Sequence, residues 1–222
     1  MRRSFLGIIV SVSLIGCSNG SGDENGDNTT TSESGTGDGG STGDGGSTGD
    51  GDSTGDGDST GDGDVNFTLT SADFEMGGLI PSLHHSQGGN VSPALEWTGA
   101  PTGTMSFGVY FHDLDFEPQG YPFRHSAIWN IPANAAGLPQ GVEMTSTPAD
   151  VPGASQCFNW FGEYGYGGPG SDSNTYEFIL YALDVAELSE VDAASNLGQV
   201  KTALDAHAIE TATLSGQTEG PP

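Results

Sequence analysis

The sequence predicts an all-β domain, a β-sandwich or barrel with a short C-terminal helix, which follows a disordered linker. Between residues 65 and 222 the apolar stretches are short and are separated by clusters of Gly, Pro, Asn and Asp, as in all-β proteins. Only one stretch, close to the end, has apolar residues at helical spacing. Residues 18–64 contain no aliphatic, aromatic or basic side chain, so this segment has nothing to bury.

Residues 1–16 have the features of an export signal, because a basic start precedes an apolar run and a small residue. The run is shorter than the about 20 apolar residues of a transmembrane helix. Leu14-Ile15-Gly16-Cys17 resembles the lipobox of bacterial lipoproteins. This implies cleavage before Cys17 and lipidation of its thiol; the alternative is an ordinary secretory signal. Ser18 resembles the sorting pattern for the outer membrane, so we expect a lipoprotein of the bacterial cell envelope, periplasmic or surface-exposed.

Residues 17–64 form the predicted linker. A six-residue unit, Thr-Gly-Asp-Gly-Gly/Asp-Ser, begins at Thr36 and starts its fifth copy at Thr60. Without apolar side chains it cannot offset the roughly 1–2 kcal/mol per residue that backbone ordering costs. The unit also lacks the apolar position of calcium-binding repeats and the bidentate Glu that ends an EF-hand loop. We therefore expect a disordered tether and no cofactor.

The charge of the chain excludes two classes of partner. It has 30 acidic residues against four basic ones, and beyond residue 16 only Arg124 and Lys201 are basic. Nucleic-acid binding requires a basic surface that follows the phosphate backbone, and a polybasic attachment to anionic lipid requires a cluster of cations. The sequence predicts neither.

The domain, residues 65–222, has the size of a single hydrophobic core. Apolar runs rich in β-branched and aromatic residues predict strands at 66–71, 106–112, 126–130 and 175–183. The last of these is apolar at nearly every position, which predicts a central strand covered on both faces. After a Ser195-Asn196 cap, one helix is predicted from the spacing of Leu197, Val200, Leu204 and Ala208.

Most of the polar residues that could carry chemistry fall in three short segments. These are His112-Asp113-Leu114-Asp115 at a strand end, Phe123-Arg124-His125-Ser126 at a strand start, and a Gly- and Tyr-rich loop at 164–170 followed by Tyr176. Each alone has a structural explanation, since aspartates cap turns and Gly-rich loops are ordinary connections. The paired His84-His85 stands in a loop that could reach such a site or form a solvated turn.

Taken in order, these segments resemble the phosphatidylethanolamine-binding protein family, and its bacterial Raf-kinase-inhibitor-like branch in particular. The matching motifs are Asp113-x-Asp115, His125 ahead of Asn130-Ile131-Pro132, Tyr166-x-Gly168-Pro169, and Tyr176. The stretch 89–97, Gly-Asn-Val-Ser-Pro-Ala-Leu-Glu-Trp, also resembles that branch. The resemblance covers residues 67–217 and implies a β-sandwich of the phosphatidylethanolamine-binding protein type.

The resemblance further implies a small anion pocket at one end of the sandwich. It would be lined by Asp113, His125, Gly168, Pro169 and Tyr176, and Asp115 would brace the loop. Imidazole, phenol and loop N–H groups can donate to a phosphate-like group. An ionised aspartate repels a dianion, so we expect Asp113 to orient and charge His125 and to favour phosphomonoester or headgroup-amine binding at mildly acidic pH.

Three positions depart from the family pattern. Ser126 replaces a tryptophan, Asn174 replaces a histidine, and the proline-rich loop after Gly168-Pro169 becomes Gly170-Ser171-Asp172. Fewer potential cations and one more carboxylate should weaken anion binding or shift the preference toward zwitterions or cations.

The sequence therefore favours a binding module for a small anionic or zwitterionic ligand such as phosphate or a phospholipid headgroup, and not an enzyme. Two alternatives remain. The relatives' description as inhibitors suggests a regulator of an extracytoplasmic protein, and His112, Asp113, Asp115 and His125 could hold a divalent metal for phosphoester hydrolysis.

Overall fold

The computed structural model describes residues 66–219. The predicted export signal, the predicted lipidation site Cys17 and the linker lie outside these residues. In the described part the strands are β1 (Thr68–Thr70), β2 (Gly78–Leu79), β3 (Leu95–Thr98), β4 (Ser106–Asp113), β5 (Phe123–Pro132), β6 (Gly137–Leu138), β7 (Ser155–Gln156), β8 (Thr175–Leu183) and β9 (Ala208–Gln217). A 3₁₀ turn covers Ser82–His84 and the helix α1 covers Leu197–His207.

The strands form two sheets. The larger has the order β2-β9-β8-β4-β5-β7 and the smaller has the order β1-β3-β6. Neighbouring strands are antiparallel except β2 and β9, which are parallel. Because β4 and β5 are antiparallel neighbours, the end of β4 and the start of β5 lie side by side, with Asp113 opposite Phe123.

The larger sheet is covered on both faces. The side chains on one face, which include Phe111, Phe178 and Leu180, pack against the smaller sheet. The alternate set, with Tyr110 and Tyr181, packs with residues of α1. A strand that is covered on both faces needs apolar side chains at nearly every position, and β4 and β8 are buried or partly buried along their whole length.

Close packing of α1 depends on a glycine of β4. A Cβ at Gly108 would overlap the side chain of Leu204, so the missing side chain lets the helix approach the sheet. The N-terminus of α1 is closed by a capping box, in which the Asn196 side chain accepts from the N–H groups of Gly198 and Gln199. The predicted cap is therefore confirmed.

The predicted fold class is confirmed, and β8 has the predicted bounds. The other predicted strands differ at their ends: β1 is shorter than 66–71, and β5 extends from Phe123 to Pro132 around 126–130. The helix prediction is wrong at Ala208, which has extended backbone and pairs with Leu183 as the first residue of β9. Sheet pairing there overrides the helix propensity of alanine.

Within residues 66–219, helices long and apolar enough to cross a bilayer are absent.

Candidate ligand-binding site

A cavity of about 290 Å³ opens where the end of β4, the start of β5 and the loops before β8 meet. It is lined by Ser86, Gln87, Asp113, Phe116, Phe123, His125, Trp160, Phe161, Gly170 and Ser171. We call it the Asp113 cavity. The three segments that the sequence singled out are brought together here, although the first ends at Asp115 and the last begins at Tyr164.

Asp113 is the last residue of β4 and is buried. Its Oδ1 accepts from the backbone N–H groups of Asp115 (2.9 Å) and Phe116 (3.1 Å), which is a tight Asx-type turn. Its Oδ2 accepts from the Asn174 side-chain amide at 2.8 Å. All three donors are neutral, so they hold the carboxylate in place without cancelling its charge.

Asp115 does not line the cavity. It is exposed, and its Oδ2 accepts from the backbone N–H of Thr175 at 2.6 Å. This bond connects the turn after β4 to the first residue of β8. Asp115 thus holds the loop in place, as the family resemblance implies.

His125 lies in β5 and is 3% exposed. Its Nδ1 donates to the Gly167 carbonyl at 2.9 Å, because a carbonyl can only accept. This leaves Nε2 for a ligand. Burial lowers the pKa of His125, and the Gly167 carbonyl and the Asp113 carboxylate only partly counteract it. The expectation that Asp113 orients and charges His125 is therefore wrong: Gly167 sets the ring orientation, and burial favours the neutral form.

Gly168 and Pro169 build the wall behind the cavity instead of lining it. The Gly168 N–H donates to Asn90 Oδ1 at 2.8 Å, and the Pro169 carbonyl accepts from the N–H and hydroxyl of Ser86, each at 2.9 Å. A Cβ at Gly168 would overlap the His84 carbonyl oxygen. The absence of a side chain is thus what allows the two loops to touch.

Tyr176 does not line the Asp113 cavity, contrary to what the family resemblance implies. It is fully buried at the start of β8, with its ring edge-on to His125 at a centroid distance of 5.3 Å. Its hydroxyl accepts from the Ser171 N–H at 3.1 Å. Burial first, and then the nearby Asp113 carboxylate, raise the pKa of Tyr176. The phenol stays protonated and ties the loop that ends at Ser171 to the floor of the site.

The three departures from the family pattern have different structural consequences. Asn174 donates to Asp113, so an uncharged amide stands where the family has a histidine. Ser126 lines a separate internal cavity of about 40 Å³. Asp172 is exposed and borders a neighbouring depression with Pro169, so its added charge does not enter the Asp113 cavity.

Sequence reasoning missed the aromatic wall of the cavity, which consists of Phe116, Phe123, Trp160 and Phe161. The Phe123 ring meets Phe116 at 5.2 Å and Trp160 at 4.9 Å between centroids. Three of the four rings stay about half exposed: Phe116 46%, Trp160 54% and Phe161 45%. The signal that could have found them is the run Phe158-Asn159-Trp160-Phe161, which is strongly apolar for a loop.

The histidines outside the cavity have structural partners. His84 is buried and its Nδ1 lies 2.7 Å from the Val91 carbonyl, so the solvated-turn prediction is wrong for it. His112 pairs with Glu177 at 3.0 Å. Among residues 66–219, clusters of three or more His, Cys, Asp or Glu suited to a metal ion are absent, so the metal-dependent phosphoesterase gains no support from this geometry.

Comparison with known proteins places this geometry in a family. The family model described as phosphatidylethanolamine-binding protein matches residues 70–219. The chain belongs to the phosphatidylethanolamine-binding protein family. The UPF0098 protein YbcL of Escherichia coli is 34% identical over 158 residues, covering 67% of this chain and 85% of YbcL. The UPF0098 protein YbhB of the same organism is 32% identical over 155 residues, covering 66% of this chain and 96% of YbhB.

Solved structures of bacterial phosphatidylethanolamine-binding protein homologues have the same fold. The crystal structure of Escherichia coli YbcL, described as a new member of the mammalian family, aligns with a TM-score of 0.63 at 34% identity over 70% of this chain and 99% of YbcL. A homologue from Chlamydia trachomatis aligns with a TM-score of 0.59 at 30% identity over 70% of this chain and 98% of its own. The bacterial branch of the family is thus confirmed.

Proposed function

We propose that this phosphatidylethanolamine-binding protein domain is a binding module, without enzymatic activity, for a small zwitterionic ligand of the phosphoethanolamine type. The observation that carries the proposal is the combination of a buried carboxylate, a histidine with a lowered pKa and an aromatic wall in one cavity. Among the residues that line the Asp113 cavity there is no Lys or Arg to attract an anion alone.

The ammonium group is the part of the ligand that the cavity suits best. Asp113 attracts it electrostatically, and aromatic faces such as those of Phe123 and Trp160 attract cations through the ring quadrupole. Neutral His125 offers Nε2 as a hydrogen-bond acceptor. The phosphate then meets the polar residues that line the same cavity, Ser86, Gln87 and Ser171.

The pH dependence of binding tests this assignment. A histidine with a lowered pKa is neutral at pH 7.5, and it gains its proton only as the pH falls through the folded-state value. The positive charge then repels the ammonium, so the affinity for glycerophosphoethanolamine should fall by about tenfold on acidification. We would measure it by calorimetry from about pH 7.5 down to the lowest pH at which the domain stays folded.

Glycerophosphoglycerol is the matched control ligand. Both compounds are phosphodiesters whose charge is constant over this range, and they differ in the ammonium group. Tighter binding of glycerophosphoglycerol, with affinity rising on acidification, would show an anion site that uses protonated His125 and would overturn the proposal.

We further propose that the module is a lipoprotein of the cell envelope, with Cys17 lipidated in the outer membrane and the domain on an extracytoplasmic side. The support is the lipobox-like Leu14-Ile15-Gly16-Cys17 and the linker behind it. As a Gly- and Ser-rich coil, a linker of this length reaches roughly 40 Å, which would lift the domain clear of the bilayer.

Cys17→Ser should release the protein from the membrane. Without the acyl chains, the full chain expressed in a bacterial host should move from the membrane fraction to the soluble envelope fraction, because stable anchoring takes more than one acyl chain. Cys157→Ser is the control, since Cys157 is buried in the domain, and it should stay in the membrane fraction. Membrane retention of Cys17→Ser would contradict the anchor.

A regulator of an extracytoplasmic protein is the second candidate function. The half-exposed rings of Phe116, Trp160 and Phe161 favour it, because aromatic side chains are enriched at protein interfaces. A domain with this role alone would bind neither phosphodiester, so the calorimetry above separates the two functions.

A further inference from the structure

A second cavity, of about 580 Å³, lies on the α1 side of β5. It shares only Phe123 and Trp160 with the Asp113 cavity. Its other walls come from the turn before β5, the loop 158–160 and the start of α1. His125 lines the first cavity and Arg124 lines the second, as expected for neighbouring residues on a strand. We call it the Arg124 cavity.

The guanidinium of Arg124 is without an acceptor in the described structure. Residues 66–219 contain 18 acidic residues and only two basic ones, yet the hydrogen bonds and ion pairs of this part of the chain include none from the Arg124 side chain. The other cation, Lys201, pairs with Asp205 at 2.6 Å. Carboxylates are thus abundant on this domain, and Arg124 is placed where it reaches none of them.

The position of the guanidinium is defined by its neighbours. It lies over the Tyr121 ring, 3.9 Å from the ring centroid. A Cβ at Gly198 would come within 2.5 Å of Arg124 Nη1, so the absence of that side chain makes room for the guanidinium. The Tyr121 ring on one side and α1 on the other restrict the guanidinium to one region of the cavity.

The remaining walls suit an apolar group. Tyr121, Phe123, Phe158 and Trp160 supply rings, and Asn159 and Ser195 supply polar groups. The Asn196 side chain accepts from the N–H groups of Gly198 and Gln199, so these two groups are not free to bind an anion. Arg124 is the one charged residue among those that line the cavity, so we expect it to contribute most to the binding of an anion here.

We propose that the Arg124 cavity binds an organic oxyanion, a phosphate or carboxylate attached to an aromatic or other apolar group. The guanidinium fork pairs with two oxygens of the anion, and the rings bury the attached group. The apolar contact is necessary because the net negative charge of the domain repels a free anion. The ligand class and the site are independent of the Asp113 cavity and of its proposed ligand.

Phenyl phosphate and benzoate are the test probes. Inorganic phosphate and phenol, the anionic and the apolar half of phenyl phosphate, are the comparison ligands. Calorimetry with the full chain should show that phenyl phosphate binds at least about tenfold more tightly than either half, since both charge-assisted hydrogen bonds and ring contacts contribute. Benzoate, compared with phenyl phosphate, distinguishes a carboxylate source from a phosphate source.

Arg124→Gln should weaken phenyl phosphate binding by about tenfold or more. Lys201→Gln is the matched control, because it removes the same charge from the same face of the domain outside the cavity, and it should change the affinity by less than about twofold. Gly198→Ala keeps the charge but displaces the guanidinium, so it should also weaken binding. All three should leave the affinity for glycerophosphoethanolamine unchanged.

The proposal is overturned if phenol binds as tightly as phenyl phosphate, if wild type binds neither organic anion, or if Lys201→Gln loses as much affinity as Arg124→Gln. Thermal unfolding shows whether each variant is folded. If Arg124→Gln is unstable, the affinity of Gly198→Ala for phenyl phosphate tests the same prediction. Since Asp113→Asn should not weaken phenyl phosphate binding, failure of the first site and failure of this one are distinguishable.

Discussion

Asp113→Asn is expected to weaken glycerophosphoethanolamine binding by about 10- to 100-fold. The substitution removes the one formal charge among the residues that line the cavity at neutral pH and keeps the size of the side chain. A charge-assisted hydrogen bond contributes about 1.5–3 kcal/mol, which corresponds to this range of affinity. Binding of glycerophosphoglycerol should instead become tighter, because a carboxylate that repels the phosphate is gone. Calorimetry at pH 7.5 with both ligands measures the two changes.

The fold should tolerate this substitution because of Asn174. The Asn174 amide now donates to Asp113 Oδ2 at 2.8 Å. After the substitution it can rotate by half a turn and accept from the new amide, since the oxygen and nitrogen of an asparagine side chain have nearly the same shape. The backbone N–H groups of Asp115 and Phe116 keep an oxygen acceptor.

Asp115→Asn is the matched control. It removes the same charge from the same turn but leaves the cavity lining unchanged, and an amide oxygen can still accept from the Thr175 N–H. We expect less than about a twofold change in affinity, because exposed charges are screened by solvent and salt. Equal losses in the two variants would mean that the site responds to the net charge of the domain and not to Asp113.

The parts of the fold that could be predicted are those whose own residues give a strong local pattern, either a continuous apolar run or helical spacing. The strand β8 was predicted with its observed bounds because nearly every position is apolar and both faces are covered. The strand β9 was missed because its buried residues, Ala212, Leu214 and Gly216, include only one large apolar side chain. Its pairing with β8, which no local pattern shows, makes this segment a strand.

The Asp113 cavity was predictable only in part. The family resemblance brought Asp113, His125 and Tyr176 together, and the structure places them around one site. The role of these residues in ligand binding stays a prediction. The charge state of His125 could not be predicted, because it depends on burial by segments that are distant in the sequence.

The contacts made by the aromatic wall and by Arg124 could not be predicted, for a similar reason. Phe123 and Trp160 are 37 residues apart, and their contact depends on how the loop 158–164 folds against the start of β5. In the sequence, Arg124 is one of two basic residues beyond residue 16 and belongs to the polar segment 123–126, but nothing there indicates a cavity of its own. Within residues 66–219 its guanidinium has no acceptor, which is a property of the folded structure, since 18 carboxylates in this part of the chain could in principle have paired with it.

Gly168→Ala is expected to destabilise the domain by about 3 kcal/mol, because the new methyl group overlaps a main-chain atom. The nearest atoms are the His84 carbonyl oxygen and the Ser86 backbone nitrogen, neither of which can turn aside as a flexible side chain would. Overpacking of this kind costs about 1–3 kcal/mol. For a domain of this size the melting temperature should fall by about 6–12 °C. Denaturant and thermal unfolding of the purified protein measure both quantities.

Gly170→Ala separates this steric effect from a general sensitivity of the loop. A Cβ at Gly170 meets only the Ser86 hydroxyl at 3.5 Å, which is an ordinary contact. The free energy of unfolding of Gly170→Ala should therefore differ from that of the wild type by less than about 0.5 kcal/mol. Gly168→Ala should also weaken glycerophosphoethanolamine binding, because its loop carries both the Gly167 carbonyl that orients His125 and the Ser171 wall of the cavity. Equal stability of the two variants would show that the loops separate easily, and the cavity would then lack the rigid back wall on which its selectivity depends.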